Sequence, residues 1–177
     1  AIRQIPIAST YNTALYNGDV VAITTGGTIA LATAGASEVT STNILGVFVG
    51  CQYVNSSGQT VQAQYYPGTS VTSAIAYVID DPMAAYKVAV AYANGVVTTV
   101  QQNAVGTNMS YYNGTGSTTT GDSGAFVKAA SGANTATLPF RVIAVVPDTN
   151  VTATTFCEVI VKVNTDQYNT ALANNLS

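Results

Sequence analysis

A chain of 177 residues suits one domain, or one domain with a small appended lobe, and is long enough to bury a real core. Only 7% of the residues are charged, against roughly 25% in ordinary soluble domains, so the surface is mostly Thr, Ser, Asn, Gln, Gly and Ala or else is covered by something. Five cations in a chain of net charge −3 argue against nucleic acid, and the absence of histidine removes the commonest metal ligand and the usual general base near neutral pH.

Abundant Val (23), Thr (26) and Tyr (11) favour a pleated, half-buried surface, which predicts an all-β fold. Residues 1–17 hold Pro6 and little periodicity, and they predict an extended N-terminal arm that reaches a neighbour. From Gly18 the pattern sharpens into a domain over residues 18–165. Val20–Thr24 and Thr28–Ala32 around Gly26-Gly27 read as a hairpin. Leu45–Val54 and Thr60–Tyr66 around Asn55–Gln59 read as a second, with bends or bulges at Gly46 and Gly50 that suit a curling sheet.

Ser73–Ile79 and Ala85–Tyr92, joined through Asp80-Asp81-Pro82-Met83, read as a third hairpin. In its second strand Tyr86, Val88, Val90 and Tyr92 share one face, opposite Lys87, Ala89 and Ala91. The stretch from Val96 to Met109 fits either short strands or a brief helix. Asn113–Gly121 is polar and Gly-rich, and predicts a loop that moves unless a partner orders it. A strand at Ala125–Ala129 follows. Leu138–Val146 and Thr155–Val163, joined through Pro147–Asn150, form the clearest hairpin pattern in the chain.

Together these strands predict an antiparallel β-barrel or β-sandwich with extended terminal arms. Residues 166–177 are expected to be a C-terminal arm or a short helix. The uncharged stretch from Val39 to Ile79 is broken by Asn43, Gln52, Asn55 and Gln59 and cannot be a spanning helix, so no membrane partner is expected. The opening Ala-Ile-Arg-Gln-Ile-Pro-Ile shows no apolar leader; a leader already removed would leave the same start, and the first-position Ala fits the expectation of a protein made in the cytoplasm that has lost its initiator Met. Cys157 alternates with Val159, Val161 and Val163 and reads as a buried core thiol; a bridge between Cys51 and Cys157 stays open.

Gly121-Asp122-Ser123-Gly124 resembles the nucleophile segment of chymotrypsin-type proteases, but a serine needs a base to take its proton, and the chain has no histidine. A Gly-rich turn opening a strand is the better reading. Asp80-Asp81 lacks the further oxygen ligands of a calcium loop, and Gly26-Gly27 lacks the lysine of a phosphate loop. No catalytic residue, cofactor or metal is therefore expected. The low charge suits permanent contact with other chains, although a Thr- and Asn-rich extracellular surface protein would share it.

Several segments resemble the small β-rich head proteins of tailed bacteriophages, in particular capsid decoration, or cement, proteins. They are Ile44–Tyr53, Tyr65-Tyr66-Pro67-Gly68, Ala76–Pro82, Thr120–Gly124 and Phe140–Val146, within residues 18 to 168. The resemblance implies a virion protein, assembled in the bacterial cytoplasm, that sits as a dimer or trimer on the outer capsid surface and bridges major capsid subunits. It carries no catalytic residues. Expected contacts are Ile2, Arg3, Ile5, Ile7, Tyr65, Tyr66, Tyr168 and Leu172, through repeated apolar burial and strand-edge pairing. A tail, fibre or adhesin component that binds host glycans is the alternative.

Overall fold

A computed structural model describes residues 1–33, 38–40, 43–91, 102–128, 133–149 and 156–168. In chain order the strands are β1 (Ile2–Pro6), β2 (Val20–Ile23), β3 (Ile29–Leu31), β4 (Glu38–Val39), β5 (Gly46–Asn55), β6 (Thr60–Ala63) and β7 (Val71–Ile79). They continue with β8 (Ala85–Ala91), β9 (Asn108–Met109), β10 (Tyr111–Tyr112), β11 (Phe126–Lys128), β12 (Phe140–Val145) and β13 (Cys157–Val163). Two 3-10 turns, Gln102–Ala104 and Pro147–Thr149, are the only helical pieces among the described residues.

The strands form two open sheets, so the fold is all-β and the barrel alternative is corrected. One runs β1-β7-β5-β2-β3 with β6 also on β5; the other runs β4-β10-β11-β8-β13-β12-β9. Among the described strands every ladder is antiparallel except β11 with β8. The β2/β3 hairpin pairs Val21 with Leu31, β5/β6 pairs Gln52 with Gln62, and β12/β13 pairs Val142 with Val161.

The third expected hairpin is not one. β7 pairs with β1 and β5 in the first sheet while β8 pairs with β13 and β11 in the second, so Asp80–Ala84 carries the chain from one sheet to the other. A turn signal between two apolar strands marks where the chain reverses, but not whether the strands then pair. Strand β8 keeps its expected faces at Tyr86, Val88 and Val90; Tyr92 lies outside the described residues.

Each sheet has its own core. Ile5, Ile7, Leu15, Val21, Ile29, Phe48, Cys51, Tyr66 and Val78 are buried in one cluster. Val20, Ile44, Val90, Met109, Tyr111, Phe140, Val142, Cys157, Val159 and Val161 are buried in the other. Adjacent Val20 and Val21 project into different cores, as successive strand residues must. Strand β2 is thus a wall shared by both. Burying each such Val, Ile or Phe side chain stabilises the fold by about 1.5–3 kcal/mol.

The expected bend at Gly50 is present: the β5/β7 register shifts between Phe48 and Gly50, whose φ is 141°. Gly46 serves another need, because a Cβ there would lie 2.0 Å from the Ile79 carbonyl oxygen. Only a glycine lets β5 pass so close to the end of β7.

The N-terminal arm expected over residues 1–17 is corrected. Residues 2–6 are an edge strand paired with β7 from Ile2↔Ile79 to Pro6↔Ile75, Ile7 donates its N–H to Ala74 O, and Leu15 is fully buried. Ile5 and Ile7 give this segment an apolar face that the first sheet needs, and Pro6 suits an edge strand, where a missing N–H costs least. At the other end Asp166 bridges to Ile44 and Gln167 donates its N–H to Ile44 O, so residues 166–168 lie on the domain. The rest of the expected C-terminal arm, Leu172 included, is outside the described residues.

Candidate functional site

The Gly121–Gly124 segment was the strongest chemical motif, and its serine is held by a carboxylate. Ser123 Oγ donates to Asp19 Oδ1 at 2.5 Å, and Asp19 Oδ2 accepts the Tyr16 N–H at 2.8 Å. Asp19 is 6% exposed, and burial raises its pKa against the opposing effect of those two hydrogen bonds. Asn17 and Ser123 exchange backbone bonds with this loop: Asn17 N–H to Gly121 O, and Ser123 N–H to Asn17 O. A serine whose proton is committed to a buried carboxylate is a latch between two segments of chain.

The Asn113–Gly121 loop, expected to move unless a partner orders it, meets its own chain at Tyr16 and Gly124. A Cβ at Gly116 would sit 2.2 Å from the Tyr16 ring, and one at Gly114 would sit 1.9 Å from Gly124 O. The glycines allow close backbone approach, so the loop packs on its own chain. Neither thiol is presented for chemistry: Cys51 and Cys157 are free, fully buried and in different cores, and burial pushes the Cys51 pKa up to about 12. Among the described residues no group of three or more His, Cys, Asp or Glu could hold a metal.

Of the eight expected contact residues, two converge, Arg3 and Tyr168. Arg3 Nε lies 2.8 Å from Asp80 Oδ2, Arg3 Nη1 donates to Tyr168 Oη at 2.9 Å, and the guanidinium stands 5.3 Å from the Tyr168 ring centroid. Tyr168 Oη in turn donates to Asp80 Oδ2 at 3.2 Å. Burial first, and then the Asp80 charge, raise the Tyr168 pKa. Tyr168 (45% exposed) puts apolar surface at this corner, and Ile2 (62%) and Met83 (68%) are also exposed.

Three of the others, Ile5, Ile7 and Tyr66, are corrected as contact residues. Ile5 and Ile7 are core side chains. Tyr66 is 2% exposed and its hydroxyl donates to Tyr11 O, while half-buried Tyr65 stacks on Tyr16 with centroids 5.7 Å apart. A buried tyrosine and an interface tyrosine look alike in sequence, because both want an apolar wall and one polar partner. Leu172 lies outside the described residues.

Surface residues that sequence reasoning passed over lie on β12 and β13: Ile143 is 40% exposed and Phe156, next to the start of β13, 50%. Arg141 and Lys162 stand directly opposite each other on the same two strands. Strand alternation placed Glu158 and Lys162 away from Val159 and Val161, and pairing the two strands would have brought Arg141 beside Lys162.

A cavity of about 110 Å³ lies where the sheets meet, lined by Val20, Val47, Val88, Tyr111, Phe140 and Val161 among others. Its walls are apolar packing surface. No protein-family model, curated protein or solved structure matches the chain.

Proposed function

We propose that this protein is a structural virion component: a capsid decoration or cement protein that binds the outside of a phage head and bridges neighbouring major capsid subunits. The observation that carries the reading is where its reactive and apolar groups stand. Ser123, Asp19, Asp80 and both cysteines are committed to the fold, whereas Ile2, Met83, Ile143, Phe156 and Tyr168 lie on the surface. Such a surface offers contact area and little chemistry. With only 7% charge, it also has few ions to desolvate when covered.

The likeness of Ile44–Tyr53 and Phe140–Val146 to phage head proteins supports the choice of a capsid as partner. Modest contacts repeated by icosahedral symmetry become collectively strong, so a small patch suffices. Self-association as a dimer or trimer belongs to the same proposal, which includes no enzyme activity, nucleic acid or membrane. The test is co-sedimentation with purified expanded shells that lack the chain. Saturable retention with a raised shell disruption temperature is the expected result. Failure to sediment with shells, together with retention on immobilised glycans, would move the assignment to a tail or adhesin component.

A further inference from the structure

Four of the five cations, Lys87, Lys128, Arg141 and Lys162, share one face of the second sheet. The register fixes this. Phe140, Val142, Val159, Val161, Val90 and Val127 point into the core, so their alternate neighbours Arg141, Lys162, Ile160, Lys87 and Lys128 point out. The outward face also holds Glu38 and Glu158 and carries +2, whereas the rest of the chain, with Arg3 and six aspartates, carries −5. The chain is acidic, but this one face is not.

Two of these cations are already neutralised: Lys87 Nζ lies 3.0 Å from Glu158 Oε2, and Lys128 pairs with Glu38. The other two are not. Arg141 and Lys162 are direct cross-strand neighbours in the β12/β13 ladder, and like charges in that position repel. Arg141 Nε donates to Asn108 Oδ1 at 3.0 Å, which anchors the guanidinium, and neither cation has a carboxylate partner among the described residues. An anchored guanidinium beside an ammonium is a ready site for a carboxylate. Around the pair lie Ala85, Ile160 and exposed Ile143.

We propose that the outward face of β8, β13 and β12 is the docking surface for an acidic protein patch, with a partner carboxylate bridging Arg141 and Lys162. The inference rests on the cement reading and names the chemistry of that partner: an acidic, partly apolar patch on the capsid shell. A polyphosphate chain fits less well. Among the described residues only Arg141 and Lys162 lack a carboxylate partner on this face, too few cations to track a phosphate backbone, and Ile143 and Phe156 would gain nothing from one.

The test is the double variant R141Q/K162Q with purified shells at low and high salt. Its melting temperature should stay near that of the wild type, because the variant removes a repulsion together with the Arg141–Asn108 hydrogen bond, while shell affinity falls at least tenfold at low salt and loses most of its salt dependence. The charge reversal R141E/K162E should abolish binding. Wild-type affinity in a folded R141Q/K162Q would overturn the docking surface and leave the cement reading standing. No shell binding by the wild type would overturn both. Equal binding of the wild type to short duplex DNA or to anionic vesicles, lost in R141Q/K162Q, would overturn the acidic-protein assignment.

Discussion

Replacing Ile5 by Ala separates a strand from an arm. Ile5 sits opposite Ala76 in the β1/β7 ladder, is 6% exposed and packs in the same cluster as Phe48 and Val78. Truncating a buried Ile to Ala costs about 2–5 kcal/mol, and an edge strand can close part of the space, so the lower half, about 2–3 kcal/mol, is expected. Ile2→Ala is the internal control: Ile2 is 62% exposed on the same strand, and its loss should stay within about 0.5 kcal/mol. Urea unfolding followed by far-ultraviolet circular dichroism gives both values. Against a total stability of about 5–15 kcal/mol the Ile5 variant remains folded but is clearly weakened. Equal, small effects at Ile5 and Ile2 would show that residues 1–7 do not belong to the sheet, and the first core would have to be redrawn. The same reasoning bears on function: deleting residues 1–10 damages the fold itself, so variants at Ile2 and Arg3 are the cleaner probes of shell contact.

Cys51 and Cys157 should both resist a water-soluble thiol reagent in the native protein and both react after denaturation; fast native labelling at either site would contradict its burial. The two carboxylates with shifted pKa values act oppositely on stability. Hydrogen bonds from Lys128 and Ser110 lower the Glu38 pKa, so its contribution is present above its unfolded value and is lost as pH falls through the folded one. Glu38→Gln should therefore cost stability at pH 7 and little below about pH 3. Burial raises the Asp19 pKa, so its contribution is present below the unfolded value and is lost as pH rises through the folded one. The stability difference between wild type and Asp19→Asn should accordingly shrink, in the wild type's disfavour, from pH 4 to pH 7. A difference that grows in the wild type's favour would contradict the buried carboxylate.

Local pattern made the fold class and three hairpins legible. Period-two alternation needs only neighbouring residues, which is why the faces of β8 and β13 follow from the sequence. Which strand pairs with which is a long-range matter, and it misled at Asp80–Ala84, where a strong turn signal joins different sheets. The same limit hid β1: five residues holding a Pro and an Arg show too little periodicity to be read as a strand until β7 supplies the edge. At the loop over residues 113–121 a Gly-rich sequence suggests freedom, whereas at Gly114 and Gly116 glycine provides room. The surface was the least legible. Arg3 and Tyr168 meet only because both ends of the described chain pack beside Asp80, and Arg141 and Lys162 meet only through the β12/β13 register.

A density map of expanded shells saturated with the chain tests the central claim most directly. The account predicts two open sheets seated on the outside of the shell across a junction of capsid subunits, with Arg141 and Lys162 turned toward capsid carboxylates. Shells whose outer surface shows no such density at saturating concentration would contradict it.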